Sequence, residues 1–404
     1  MDGDLTTIGS LMKMISVGFI GAGFSAHLHV EGLKKVHGVN VRFAGVTASR
    51  SERAAAFATA HRVENTFANW QELLADRSID VVSICVPNAM HAEIAVAAAR
   101  AGKHVICEKP LTGAFGDSGG LVGVERARNE LERARTSVGE VARAVRESGV
   151  LFLYAENWVY APAMLKTKRL LETSKGAIID IRAEESHSGS HALRSRRRQT
   201  AGGGSLLMLG SHPIGAAIHL KEYEAQLAGI DPIRVTSVTA TTAALYDTDA
   251  VKRGHHSWLV SDWGDVETWA NLVMGFSDGS QAVIAASFAM LGGVRNTFEV
   301  YTTNCVFRGN MTPNDGLLVY SPDSNAFGTE YLHEKIETRT GWITAAPDED
   351  WVRGYPQEMQ DFMEAIAAGR EPISGLRLAS DVVEVIYSAY LSAEEGRRIP
   401  LALG

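Results

Sequence analysis

Apolar runs and amphipathic stretches alternate along the first third of the chain. ISVGFIGAG carries a nearly continuous apolar series, Ile15, Val17, Phe19 and Ile20, before a glycine turn. That is the pattern of a strand covered on both faces. A helix is predicted from Ser25 to about Val36, then a strand over VRFAGVTA and a helix over SERAAAFATAHR. DVVSICVP, HAEIAVAAARAG and HVICEK continue the alternation as strand, helix and strand. Such alternation predicts a parallel sheet built from βαβ units.

The glycine-rich LTGAFGDSGGLVGVE follows directly on the last of these strands. Residues 112–128 read as an insertion at the carboxyl end of the sheet, where open α/β sheets bind ligands. The helical stretch NELERARTSVGEVARAVRES comes next. From Gly149 the pattern changes. VLFLYAENWVY predicts a strand, APAMLKTKRLLETSK a helix and IIDIRAEES a strand. VTSVTATTAALY, TWANLVMGFSDGSQAVIAASFAM and NTFEVYTTNCVFRG alternate β-branched and aromatic residues with polar ones, broken by turns such as Asp278-Gly279. They predict an antiparallel sheet, closed by helices over YPQEMQDFMEAIAAG and LRLASDVVEVIYSAYLSAEEG. The expected organisation is an α/β dinucleotide-binding domain of the Rossmann type over 14–150, with the insertion near 112–128, and an α+β domain with a mostly antiparallel sheet over 151–404.

Composition narrows the function classes. A length of 404 residues agrees with two domains, and 46% hydrophobic with 21% charged residues is an ordinary globular balance. The net charge of -8 argues against nucleic-acid binding, which needs a basic face. A local basic pocket survives such a total. Cys85, Cys107 and Cys305 form no CxxC or metal-ligand spacing and read as free thiols of a reducing cytoplasm, with no metal site expected. MDGDLTTIGSLMKM starts acidic and lacks the apolar core of a signal peptide. No apolar stretch reaches the roughly 20 residues that cross a bilayer. A cytoplasmic protein without membrane or nucleic-acid partners is expected.

Gly21, Gly23, Phe24, Ser25 and Ala26 form a GxGxxA turn between the first strand and helix. The first glycine permits the tight turn, the second lets backbone approach a pyrophosphate, and the small last residue lets helix and strand pack. Phosphate then meets the free N–H groups of the helix N-terminus. The second strand ends in Ser49 and Arg50, with no carboxylate before Glu52. An acid there holds the ribose hydroxyl in NAD enzymes. A serine and an arginine suit a 2′-phosphate, so NADP is favoured over NAD. Glu108-Lys109-Pro110 ends a buried strand. Charges there are costly unless they face a cleft, and a desolvated lysine can move a substrate proton while hydride leaves the same carbon.

GFIGAGFSA, VPNAMHAEIAVAAARAGKHVICEKPL and GGGSLLMLGSHPI, in that order, resemble the Gfo/Idh/MocA family, the relatives of glucose–fructose oxidoreductase and inositol dehydrogenase. The resemblance implies that Lys109 is catalytic and touches both nicotinamide and substrate. It implies that Pro87, Asn88 and His91 lie along the cofactor, and Glu108 beside Lys109 is a further cofactor-binding candidate. It implies that the second sheet is open and serves substrate binding and subunit contact, in a homodimer or homotetramer. Family members often carry an aspartate four residues before the histidine kept here as His212. Met208 stands at that place, and a thioether cannot hold a proton. Lys109 is therefore expected to carry the proton and His212 to position the reacting oxygen.

The strand end Glu184-Glu185-Ser186-His187-Ser188-Gly189-Ser190-His191 is dense in polar groups, and Arg194, Arg196, Arg197 and Arg198 follow. Such groups suit a polyol, and the arginines extend the expectation to an anionic substrate. His187 and Arg194, with Asn157 and Tyr160 of YAENWVYAP, are the further substrate-binding candidates. KIETRTGW is a polar and aromatic loop to which the sequence assigns no role, and Lys335 and Trp342 within it read as structural. The expected activity is NAD(P)-dependent hydride transfer at a CH–OH or ketone carbon of a sugar, glycoside or cyclitol. One alternative is an NAD-dependent glycosidase acting by transient oxidation and elimination, including on an acidic, for example sulfonated, sugar. A non-catalytic cofactor sensor is the other.

Overall fold

The computed structural model describes residues 13–190, 192–254, 256–260, 262–312 and 317–401. His191 and most of the N-terminal segment discussed above lie outside these residues. The near-continuous apolar runs form a six-stranded sheet. Its strands and intervening helices are β1 (Met14–Ile20), α1 (Phe24–Lys34), β2 (Asn40–Thr47), α2 (Ser51–His61), β3 (Asn65–Thr66), α3 (Trp70–Ala75), β4 (Val81–Ile84), α4 (His91–Arg100), β5 (His104–Glu108), α5 (Gly123–Ser148) and β6 (Phe152–Ala155). In space the order is β3-β2-β1-β4-β5-β6, and every pair is parallel. The strand order reverses between β1 and β4, the place where doubly wound sheets open a crevice for ligands.

The second half begins with α6 (Pro162–Ser174), β7 (Ile178–Ser186), α7 (Arg198–Ala201), α8 (Ser205–Met208), α9 (Ser211–Ala228), β8 (Val235–Ala243) and α10 (Asp249–Arg253). It continues with β9 (Trp269–Phe276), β10 (Gln281–Ser287), β11 (Arg295–Thr302), β12 (Val306–Asn310), β13 (Leu318–Ser321), β14 (Gly341–Thr344), α11 (Glu349–Arg353), α12 (Tyr355–Ala368), α13 (Leu376–Glu395) and β15 (Ile399–Pro400). Its main sheet runs β12-β11-β7-β10-β9-β8-β15, antiparallel except for the parallel pair β7–β10. α9 packs beneath β7 and β10, while α13 packs on α5, α9 and β8 and so joins the two halves. Among the described residues no helix is long and apolar enough to cross a membrane.

Three expectations change. The strand expected over VLFLYAENWVY stops at Ala155 and gives way to a 3₁₀ turn over Asn157–Tyr160, where the Glu156 carboxylate accepts from the Trp158 N–H at 3.4 Å. That strand is the sixth of the first sheet, so a boundary at residue 150 falls one strand short. The insertion expected over 112–128 ends earlier, because α5 already begins at Gly123. Its loop is tied down: the Tyr387 hydroxyl accepts from Ala114 N at 2.7 Å and donates to Gly202 O at 2.9 Å, and Gly116 N donates to Gln199 O at 2.7 Å. α9 was not anticipated as a full helix. It is buried along nearly its whole length, and a helix covered on all sides shows no amphipathic period.

Arg198 is the buried node behind this junction. Its guanidinium bonds Glu130 at 2.8 and 2.6 Å, approaches Glu267 at 3.8 Å and lies over the Tyr390 ring at 4.5 Å. Glu267 in turn accepts from Gly204 N and Leu206 N at 3.0 Å and from the Tyr390 hydroxyl at 2.8 Å. Replacing Arg198 by methionine strands two buried carboxylates and is expected to cost about 3–5 kcal/mol, measured by urea denaturation.

Candidate active site

The glycine turn shows why those residue types stand there. Gly21 has φ +111°, donates its N–H to Thr47 O at 2.9 Å, and a Cβ on it would lie 2.1 Å from the Cys85 carbonyl oxygen. A side chain would push β1 and β4 apart at the crevice. Gly23 meets nothing within 4 Å, so its open side is a cradle that a side chain would fill. α1 follows with no side-chain cap, which leaves the N–H groups of its first turn available to an anion. The turn thus fits a dinucleotide pyrophosphate. Ser49 and Arg50 sit exposed just past the end of β2.

A cleft of about 300 Å³ opens beside this turn. Phe24, Ser25, Glu108, Lys109, Glu185, His187, Met208 and His212 line it, together with Glu334, Lys335, Arg353 and Tyr355. Lys109 leaves the end of β5 and donates to the Met208 carbonyl at 2.6 Å, which spans the two halves of the chain. Glu108 holds His29 at 3.2 Å and accepts the Lys109 backbone N–H at 3.1 Å. Burial alone would raise the Glu108 carboxyl, but the His29 hydrogen bond and charge, then Lys109 and His91, outweigh it and hold it down at about 2.

His212 is the second residue of α9, with its ring stacked on Trp158, centroids 6.0 Å apart and planes 10° from parallel. Its Nδ1 lies 2.6 Å from Glu156 Oε1 and its Nε2 lies 3.8 Å from Glu185 Oε2. Strand alternation puts Glu184 and Glu185 on opposite faces of β7. Glu184 pairs with Arg295 at 3.0 Å on the outer face, and Glu185 is buried beside His212. Burial raises the Glu185 carboxyl, against the opposing charges of His212 and Lys109. Burial, and then the Lys335 charge, lower His187 to about 3. The neutral His187 ring accepts from Gly189 N at Nδ1, 2.9 Å away, which leaves Nε2–H as a donor.

Two family models match the chain in succession: the oxidoreductase family with an NAD-binding Rossmann fold over residues 15–131, and the GFO/IDH/MocA C-terminal domain over residues 164–308. The chain belongs to the Gfo/Idh/MocA family. Levoglucosan dehydrogenase of Pseudarthrobacter phenanthrenivorans is 27% identical over 383 residues, 89% of this chain and 90% of that protein. Myo-inositol 2-dehydrogenase of Thermotoga maritima is 24% identical, over 95% of this chain and 98% of that protein. The crystal structure of GenD2 from gentamicin A biosynthesis in complex with NAD superposes with a TM-score of 0.76 at 25% identity, covering 99% of this chain and 100% of that one. This Gfo/Idh/MocA member is therefore an oxidoreductase with an NAD(P)-binding Rossmann domain joined to a mixed, mostly antiparallel sheet.

The structure brings Phe24, Ser25, Glu108, Lys109, His187 and His212 to one cleft and places other expected residues elsewhere. His91 is buried with Nδ1 2.7 Å from Pro110 O and Nε2 3.0 Å from Val86 O, so it braces two turns rather than facing the crevice. Asn88 Nδ2 reaches Ala201 O at 3.3 Å and the Met208 sulfur at 3.4 Å, while Pro87 precedes the 3₁₀ turn that carries it. Asn157 and Tyr160 need correction as substrate ligands. Both are buried: Asn157 donates to Arg353 O at 2.8 Å, and Tyr160 donates to Asp361 at 2.9 Å. Arg194 is exposed and does not line the cleft, and Arg198 is the buried node described above. The arginine run thus gives no anion site in the cleft. Arg353, which does line it, is matched by Glu334 at 2.6 Å and Glu349 at 2.8 Å. Lys335, expected to be structural, lines the cleft, whereas Trp342 is exposed outside it. Glu156, Glu334 and Arg353 were missed; Glu156 and Arg353 are buried and Glu334 is half-buried, a signal visible only once neighbours are known.

Gly23→Val should leave thermal stability nearly unchanged but weaken NADH binding about tenfold or more, about 1.4 kcal/mol or more, in a fluorescence titration. The depressed Glu108 carboxyl contributes stability that is present above its ordinary value of 4.5 and lost as pH falls through about 2. The stability gap between wild type and Glu108→Gln, about 3 kcal/mol at neutral pH, should close across that window in urea titrations at stepped pH.

Proposed function

We propose that this enzyme transfers hydride between a nicotinamide and a CH–OH carbon of an uncharged sugar, glycoside or cyclitol. The observation that carries the reading is the convergence of Lys109 and His212, from different halves of the chain, on one cleft beside the glycine turn. A nicotinamide held by the glycine turn at Gly21 and Gly23 would supply the hydride acceptor. The Lys109 ammonium offers a cation to the oxygen from which the proton departs. Glu185 and Glu334 supply acceptors, and His187, Lys335 and Arg353 supply donors, as a polyol requires. The pairing of Arg353 with two carboxylates supports a neutral substrate over an anionic one. Ser49 and Arg50, exposed past β2, support NADP as the preferred nucleotide. Exposed Val273 and Val283 on the outer face of the second sheet support self-association there.

A panel of myo-inositol, D-xylose and levoglucosan, followed at the nicotinamide absorbance with NAD⁺ and with NADP⁺, tests this reading. Turnover with at least one of these polyols, faster with NADP⁺, is expected. Lys109→Ala should lower kcat by about 10²–10³-fold. Near-full turnover in that variant, or release of aglycone from a chromogenic glycoside without net cofactor reduction, overturns the proposal.

A further inference from the structure

The two nitrogens of His212 meet different surroundings. Nδ1 lies 2.6 Å from Glu156 Oε1, on a carboxylate with no exposed surface. The other oxygen of that carboxylate is buried without a hydrogen-bond partner. Gly215, further along α9, makes room for the group: a Cβ there would come within 3.3 Å of Glu156 Cγ. Nε2 faces the cleft. The charged and titratable groups around the ring are Lys109 and Glu108 from the end of β5, and Glu185 and His187 from the end of β7. Glu334, Lys335 and Arg353 from the segment before α12, and Tyr355 at the start of α12, complete the set. Of these groups and Glu156, only Glu156 lies within hydrogen-bond distance of a ring nitrogen among the described residues. An ionised carboxylate only accepts, so it selects the Nδ1–H tautomer and leaves the Nε2 lone pair turned to the cleft.

We propose that Glu156 is the positioning residue of this enzyme: it holds His212 so that Nε2 takes the substrate hydroxyl proton. The inference rests on the dehydrogenation proposed above. The C–H bond breaks and its electron pair leaves with the hydride to the nicotinamide. The O–H bond breaks, the carbonyl forms, and the proton ends on Nε2. The Glu156 charge stabilises the resulting imidazolium, and Lys109, already a donor to Met208 O, stays a cation beside the oxygen. A carboxylate from the end of the first sheet thus serves a histidine on a helix of the second domain. Met208, four residues before His212 at the end of α8, needs no charge of its own.

Glu156→Gln keeps the shape and removes the charge. In the polyol panel its kcat should fall about 10²-fold or more. The acidic limb of its kcat–pH profile should move to lower pH, because the imidazolium is harder to form, while NADH affinity stays within a factor of about two of wild type, about 0.4 kcal/mol. Glu156→Asp retains the charge and should keep the limb. Glu156→Gln added to His212→Asn should cost nothing further, since Glu156 acts through the ring. A strongly deshielded Nδ1–H proton resonance should appear in the wild-type NADH complex and vanish in Glu156→Gln. An unmoved limb, or a further loss in the double variant, overturns the assignment. If the wild type oxidises no polyol, the dehydrogenation reading fails by itself, and the resonance alone decides the pair: its absence from wild type overturns it.

Discussion

The site depends on one hydrogen bond across the two halves of the chain, from Lys109 Nζ to the Met208 carbonyl. A lysine at the end of a buried strand must face either a cleft or a partner, since burying its charge unpaired costs several kcal/mol. Here it does both. The carbonyl belongs to the last residue of α8, whose position is set by Glu267 accepting backbone N–H groups at Gly204 and Leu206. Glu267 is held by Tyr390 and Arg198, and Arg198 by Glu130 of α5. The placement of Lys109 in the cleft is thus the end of a chain of buried ion pairs running through both domains.

Much of this was legible in residue order. The first sheet could be read because its strands are uniformly apolar and its helices lie between them, and Gly21 announced a backbone conformation closed to other residues. The antiparallel strands could be read from alternation. The failures have a common physical cause. Tyr160, Asn157 and His91 are polar residues near the site in sequence, yet each spends its polar atoms on backbone or carboxylate partners inside the protein. A polar side chain near a motif is equally suited to brace the motif or to meet a ligand, and only its partners distinguish the two. The arginine run misled for the same reason: Arg198 satisfies a buried carboxylate pair, not a substrate.

The same point explains why Glu156 escaped notice while Met208 stood out. A departure at a motif position is conspicuous, whereas compensation from a distant element is not. Glu156 becomes meaningful only through its 2.6 Å contact with His212 and the space left at Gly215, two facts that belong to the folded state.

α13 packs at once on α5 of the first domain and on α9 and β8 of the second, and Tyr387 within it bonds both the 112–122 loop and the glycine run at 202–204. Such a helix acts as a splint. Two domains that share it do not swing apart without breaking their common core, so this enzyme is built to work with a fixed inter-domain angle. Exchange of substrate and nucleotide then falls to the rim of the cleft, where Phe24 is exposed and Lys335 sits at positive φ, rather than to opening of the molecule.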